Sequence, residues 1–330
     1  MKFHRFPYLV QQNLCSILHP IEVLLLSECS NRTRRAVKKT IPKNEVVKTE
    51  IWVSGNKTSM TISYRNKEKF VYMSSREWPP IPRRVIWIEI DGVDVGISWK
   101  EEASNFCSIQ VHNQRHAILI YKCICNLFNA LEEVYVKTDQ LEYQFPSVKR
   151  SFLSHSGYTT DRLEKFYRIN PEQQFSEVKC SRELSISDRE NVFVVRNLIL
   201  RETIIPNAWQ CFRMFKGEHA YFECTYMSVL GIIYISKMWM VRLNDGLKSV
   251  IFKPKKNYDV QELKREIRVI SCGMERKQDV YAYKSIITEY ENFPSYIFDC
   301  TDGIDIKRDT DGKMATITLF PDYVTFFVWD

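Results

Sequence analysis

The chain of 330 residues contains no apolar run approaching the roughly 18–20 residues of a membrane-spanning helix, so helical membrane spans are not expected. Its N-terminus, MKFHRFPYLVQQNLC, has neither an apolar core nor a small-residue cleavage site, so secretion is not expected and a cytoplasmic or nuclear location is. Glycine is scarce, 10 residues against 19 Phe and 17 Tyr, a balance that favours strands over loops. No CxxC pair occurs among the ten cysteines, and most of them sit beside apolar residues. They read as reduced, buried thiols rather than a disulfide framework. The sequence has no P-loop, no GxGxxG, no GxSxG and no HExxH, which removes the recognisable nucleotide, hydrolase and zincin signatures.

The residues that remain as candidates for chemistry have blander explanations. His112 and His116 are four apart, as two ligands on one helix face would be, but no thiol or carboxylate partner is near and zinc needs three or four ligands. Cys123 and Cys125, two apart on a helix, point to different sides and read as buried thiols. Asp302, Asp305, Asp309 and Asp311 lack the spacing and closing Glu of a calcium loop and read as turn residues. Asn31 and Asn56 head glycosylation sequons that carry no meaning without secretion. Trp78, Trp87 and Trp99 suit a core, and any of them found exposed is a contact candidate. No metal, cofactor or catalytic residue is expected.

Charge is uneven. Residues 1–48 hold nine Lys and Arg against three Asp and Glu, a net +6 of the chain's +7. A nucleic-acid binder spreads its basic residues across a face. Here the excess belongs to one segment, Arg32, Arg34, Arg35, Lys38 and Lys39, where cations near a helix C-terminus are favoured by the macrodipole. A solvated helix face is the preferred explanation over nucleic acid or an anionic membrane.

That segment ends the stretch Phe6–Lys39, which reads as three short helices. Val10, Leu14, Ile17 and Leu18 fall on one face of the first, with Pro7 in its opening turn. His19-Pro20 separates it from a second, where Ile21, Val23, Leu24, Leu25 and Leu26 are apolar almost all round and so demand cover on all sides. Ser30 or Asn31 caps the third, lined inside by Thr33, Ala36 and Val37. So small a unit seldom folds unaided. Either it completes its core against another protein or it packs on its own chain.

Ile41-Pro42-Lys43-Asn44 breaks the helix. Beyond it short strands dominate, EIWVSG, SMTISY, KFVYMS and RVIWIEIDGVDVGISW, with turns at Gly55-Asn56-Lys57, Arg65-Asn66-Lys67 and Asp91-Gly92 and a stiff loop at Pro79–Pro82. They predict an antiparallel sheet. Arg115–Glu133 takes helical spacing through Ile118, Tyr121, Ile124, Cys125 and Phe128. Strands are expected at 134–138, 183–187, 196–202, 219–225 and 248–254, several of them 20–30 residues apart, as in leucine-rich-type repeats or in an ordinary α+β layer. Near the C-terminus Ile304 and Ile306 alternate with polar residues, Thr310-Asp311-Gly312 turns the chain, and Met314, Thr316 and Thr318 lead back.

Phe6-Pro7, Val10, Leu14, Leu18, Pro20, Leu24–Leu26 and Cys29-Ser30-Asn31-Arg32-Thr33, followed by basic residues, resemble an F-box. The likeness is to the F-box of the large nematode family that carries a type 2 F-box-associated domain. The closing glycine, alternating strand, Arg-x-x-Asp-Gly turn, Ala-Thr-Ile strand and Phe-x-Val-Trp are similar to the end of such proteins. VRNLILRETIIPNAWQCFRMFKGEHAYFECTYMS looks like their core. MWMVRLNDGLKSVIFKP resembles their Asn-led helix and strand, through Leu243, Asn244 and Leu247. The resemblance covers about two-thirds of the chain and is weakest over 140–180.

What the resemblance implies is an α+β protein with a three-helix F-box at 1–42, a connector at 43–47 and an associated domain at 48–330. Within that domain, strands and a helix occupy 48–140, the strand–helix core 180–254 and a hairpin or meander 290–330. The F-box would dock on the Skp adaptor, and through it on cullin, by Phe6, Pro7, Val10, Leu14, Leu18, Pro20, Ile21, Leu24 and Leu25. The remainder would capture a protein substrate for ubiquitylation, or hold a partner without degrading it. On this reading Leu14, Pro20, Leu24 and Leu25 are less buried within the chain than Ile62 or Ile306, and residues 48–330 stand alone when 1–42 are removed.

Overall fold

The computed structural model describes residues 2–41, 46–64, 68–75, 85–103, 106–111, 113–128, 134–154, 159–180, 191–201, 207–224, 227–241, 245–254, 261, 265, 278–308 and 310–329. The fold is α+β, with seven α-helices and mixed sheet among these residues. It divides into two compact units, Met1–Phe152 with Ile169–Glu172, and Leu153–Arg168 with Gln173–Asp330. The division expected at residues 43–47 is not seen, because the N-terminal helices share a unit with the strands from Val46 onward.

The first unit opens on α1 (Tyr8–Ile17), α2 (Pro20–Glu28) and α3 (Asn31–Thr40). Its strands are β1 (Val46–Ser54), β2 (Lys57–Tyr64), β3 (Glu68–Ser75), β4 (Ile86–Ile90), β5 (Val93–Ala103) and β6 (Phe106–Val111). The helix α4 (Gln114–Phe128), then β7 (Val134–Thr138) and β8 (Val148–Ser154), follow. The hairpin at Asp91-Gly92 forms as expected, both residues taking the positive φ (51° and 76°) of the tight turn that suits strand twist. The sheet runs β7-β1-β2-β3-β6-β5-β4 and is mixed rather than antiparallel. β6 lies parallel to β3 and β7 parallel to β1, since each returns after a detour through a hairpin or a helix. Period-2 alternation places Val136, Ile51, Met60, Val71 and Cys107 in one register row, all fully buried. Across this face runs α4, which buries Ile118, Tyr121, Ile124, Cys125 and Phe128, the stripe its spacing predicts.

In the second unit α5 (Thr160–Ile169) precedes β9 (Phe175–Lys179), β10 (Asn197–Arg201), α6 (Ala208–Met214), β11 (His219–Cys224), α7 (Val229–Met240) and β12 (Ser249–Pro254). Then come β13 (Val280–Ala282), β14 (Ile297–Asp299), β15 (Ile304–Lys307), β16 (Met314–Leu319) and β17 (Val324–Val328). The order is β15-β16-β17-β12-β11-β10-β9. β9 to β12 form a parallel ladder in chain order, with register partners 22 residues apart (Phe175, Asn197), 22 (Asn197, His219) and 30 (His219, Ser249). The strands expected at 134–138, 196–202, 219–225 and 248–254 form to within a residue, whereas 183–187 lies outside the described residues. Both faces of this ladder are covered, which explains near-continuous apolar runs such as LIL in β10 and VIF in β12. On one face Phe212 of α6 and Trp239 of α7 meet Phe326, with ring centroids 5.3 and 5.7 Å apart. On the other, Tyr281 stacks on Phe327 at 4.1 Å and Tyr290 meets Tyr221.

The C-terminal motif acquires a physical explanation. A Cβ on Gly303 would lie 2.4 Å from Thr316 Cγ2 and 2.8 Å from the Cys300 carbonyl, so only glycine fits there without a shift of the hairpin. Gly312 turns β15 into β16 at φ +74°. Trp329 donates its indole N–H to Thr316 Oγ1 at 2.7 Å. The Asn-led helix expected near Leu247 is not seen over 245–248, where Asp245-Gly246 form a turn; Leu243 and Asn244 lie outside the described residues.

Candidate functional site

The three N-terminal helices begin and end where their sequence dictates. His19 caps α2: its backbone N–H donates to Glu22 Oε2 at 2.8 Å, its ring accepts from the Ile21 N–H, and Pro20 occupies the first helical position. Ser30, the first of the two cap candidates, accepts from the Thr33 N–H at 3.1 Å. Thr33 and Val37 of α3 are buried, Ala36 is half-buried, and Arg32, Arg34, Arg35, Lys38 and Lys39 are all exposed, as expected of a solvated face. Arg34 pairs with Glu28.

The apolar all-round helix α2 finds its cover within the chain. It packs on α3, α4 and β4, and α3 also packs on α4. Pro20, Ile21 and Leu24 are buried, Leu24 to 1% exposure, while Leu25 is half-buried. The expectation that Pro20 and Leu24 wait for a partner is therefore overturned, and Leu24 is as sealed as Ile62 or Ile306. The cause is α4, which offers a second apolar surface beside the sheet.

In α1 the inward face is rotated away from the apolar stripe that its spacing suggests. Gln11 and Cys15 face inward, with Gln11 Nε2 donating to the Phe6 carbonyl at 2.6 Å and Cys15 Sγ 3.4 Å from Thr40 Oγ1. Each is one residue, about 100°, away from the apolar stripe at Val10 and Leu14. Hence Leu9 is 70% exposed, Val10 42% and Ile17 76%, with Asn13 and Ser16 among them. Pro7 and Tyr8 are exposed as well, and Phe6, Leu14 and Leu18 are half-buried. The helix is held in this orientation from its far end, where buried Lys69 of β3 donates to the Leu18 carbonyl and reaches Ile17 O at 3.5 Å. A cation on the last carbonyls satisfies groups the helix leaves unpaired and complements its dipole. Of the nine docking residues expected, Pro7 and Val10 lie open, Phe6, Leu14, Leu18 and Leu25 lie at the margin, and Pro20, Ile21 and Leu24 belong to the chain's own core.

Among the described residues no three His, Cys, Asp or Glu side chains converge as a metal site. His116 is half-buried on α4, and His112 lies outside the described residues. Asp311 sits at its turn and Asp305 accepts from Thr316, whereas Asp309 is outside the described residues. Burial pushes the Cys123 thiol up to about 11, with Glu28 and Asp91 adding to the effect, and pushes Cys125 up to about 12. Cys29 is exposed. Alkylation of the native protein at neutral pH should therefore label Cys29 well before Cys15, Cys107, Cys123, Cys125, Cys180, Cys211 or Cys300. Peptide mass spectrometry checks the order, and early labelling of Cys123 or Cys125 contradicts it.

One polar cluster escaped the sequence. Asn197, His219 and Ser249 form a register row across β10, β11 and β12, with His219 Nδ1 2.8 Å from Ser249 Oγ and Ser285 Oγ donating to Asn197 Oδ1 at 2.6 Å. Ser249 has no exposed surface, and the row serves to join the ladder to the segment above it. These residues are scattered in sequence, so only the parallel register brings them together.

Trp87 is exposed on β4, whereas Trp78 and the side chain of Trp99 lie outside the described residues. No described helix is long and apolar enough to cross a membrane. Compared with known proteins, the chain matches no family model, no curated protein and no solved structure.

Proposed function

We propose that the chain is a substrate-recognition subunit of a Skp–cullin–F-box ubiquitin ligase, working in the cytoplasm or nucleus. The outward face of α1 docks on the Skp adaptor, and the rest of the chain captures a protein substrate. The observation that carries this reading is the rotation of α1: Leu9, Val10 and Ile17 point to solvent while Gln11 and Cys15 point inward. An amphipathic helix that turns part of its apolar side outward and is anchored there by Lys69 has the form of half an interface. The parallel ladder β9–β12 fits the further reading of a degenerate leucine-rich-like array, its 22-residue offsets lying within the range of such repeats. The chain itself performs no chemistry on this reading. It raises the local concentration of substrate lysines near a ubiquitin-loaded partner.

The full chain should copurify with the Skp adaptor and with cullin from cells. Val10→Glu combined with Ile17→Glu should abolish that association and leave thermal unfolding unchanged, since both side chains are exposed. Retention of the adaptor by the double variant, or no adaptor on the unaltered protein, removes the assignment.

A further inference from the structure

The face of the first unit's sheet opposite α4 carries a second, chemically different surface. On β1 the residues alternating with the buried Ile51 and Val53 are Lys48, Glu50 and Trp52; on β7 those alternating with Val134 and Val136 are Tyr135 and Lys137. The parallel register sets Trp52 beside Lys137 and Glu50 beside Tyr135. Lys48 Nζ lies 4.2 Å from the centroid of the Tyr135 ring and Arg150 Cζ of β8 lies 4.5 Å from it. Lys48 also pairs with Glu50 at 3.0 Å. Trp52 is 42% exposed, and the adjoining strand β2 presents the small Ser59 and Thr61 and the exposed Lys57 on the same face. The result is a large exposed indole among four cations, Lys48, Lys57, Lys137 and Arg150, and one carboxylate.

We propose that this face binds an acidic peptide segment of a partner protein, with an apolar side chain of the segment on Trp52 and its carboxylates or phosphates at Lys48, Lys137 and Arg150. Charge complementarity selects the sign of the ligand. On β1 and β7 the aromatics favour a peptide over nucleic acid. Single-stranded nucleic acid is held on successive aromatic platforms. Here the Tyr135 ring is already engaged by Lys48 and Arg150, which leaves Trp52 as the one exposed aromatic on β1 and β7. A peptide needs one apolar anchor and flanking charge, which is what the surface offers. This inference does not depend on docking through α1. If both hold, the surface is where substrate is captured.

The full-length protein can be titrated with a fluorescein-labelled peptide of alternating Glu and Leu, with the same peptide carrying Lys for Glu, and with labelled decathymidylate. The Glu peptide should bind and the Lys peptide should not. Lys137→Glu and, separately, Trp52→Ser should each weaken binding about tenfold or more, about 1.4 kcal/mol. Added salt should weaken it further. Val10→Glu/Ile17→Glu should leave it unchanged, so failure here and failure of adaptor docking are separable. Circular dichroism checks that each variant keeps its fold. Absence of Glu-peptide binding at about 1 mM, equal binding by Lys137→Glu, or tighter binding of decathymidylate overturns the proposal, the last in favour of nucleic acid.

Discussion

A chain lacking residues 1–41 is expected to lose the cooperative unfolding of its first unit and to aggregate on expression. The helices to be removed are part of that unit's interior. Ile21, Val23, Leu24 and Val37 are fully or almost fully buried, and α2 and α3 lie against α4. Burying one such side chain is worth about 1.5–3 kcal/mol. Deleting all of them exposes the outer side of α4, and it also removes the α1 carbonyls to which Lys69 donates. The lost burial, summed over these side chains, is comparable with the whole stability of a domain of this size, about 5–15 kcal/mol. Residues 48–330 are therefore not expected to stand alone, contrary to the pattern of the sequence. A milder version of the test is Leu24→Ala, which should cost about 2–5 kcal/mol, read from the shift of the urea midpoint. Leu24→Asp should unfold the unit rather than spare it. The excised fragment 1–41 should show little helix by circular dichroism, since helices of nine or ten residues are marginal alone. A soluble, cooperatively melting 42–330 chain would contradict all of this and restore a separable module.

Replacing Arg308 should be the most damaging single change in the second unit. Its side chain is 1% exposed, among the most deeply buried in the chain, yet it carries a full charge. Asp311 compensates with a bidentate pair, Nε to Oδ1 at 2.9 Å and Nη2 to Oδ2 at 2.6 Å, and Asp245 lies 3.0 Å from Nη1. The guanidinium also sits 5.0 Å from the Trp239 ring centroid. The pair with Asp311 holds the guanidinium protonated, raised beyond its ordinary range, so the charge persists throughout the accessible pH range. Arg308 thereby joins the β15–β16 turn to the end of α7. Asp311→Ala leaves that charge buried with only the more exposed Asp245, and should cost about 3–5 kcal/mol. Arg308→Ala removes both the charge and the packing on Trp239 and should cost a similar amount. Arg308→Lys should not rescue, since an ammonium cannot make the planar two-bond contact. Denaturant unfolding monitored by Trp239 fluorescence, against a chain with the other tryptophans replaced, reads the effect. A change below about 1 kcal/mol in Asp311→Ala would show that the pair is not compensating a buried charge.

Much of this was legible from the chain alone, and the part that was not has a consistent cause. Strand-forming composition and turn residues placed β1, β2, β4 and β5, helical spacing placed the buried stripe of α4, and Asp91-Gly92 and Asp311-Gly312 marked their turns. These features are local, set by side-chain direction and by which residues tolerate positive φ. The strands β8 and β9 went unseen because VKRSFLS and FSEVK are short and interrupted by charge, so neighbours rather than pattern stabilise them. The paired Arg308 and Asp311 were visible as a motif, but that Arg308 is buried was not.

Tertiary structure alone decided which apolar faces are covered. The sequence determined that α2 needs cover on every side and that α1 carries an apolar stripe; it is silent on who supplies the cover. Residue spacing is a property of one helix, whereas burial belongs to a pair of surfaces, and the partner of α2 is α4, about ninety residues further on. Once α4 takes α2, the contact of α1 with α3 turns Gln11 and Cys15 inward, and Lys69 holds the helix there. Leu9, Val10 and Ile17 are then left facing water, an outcome that no reading of α1 by itself contains.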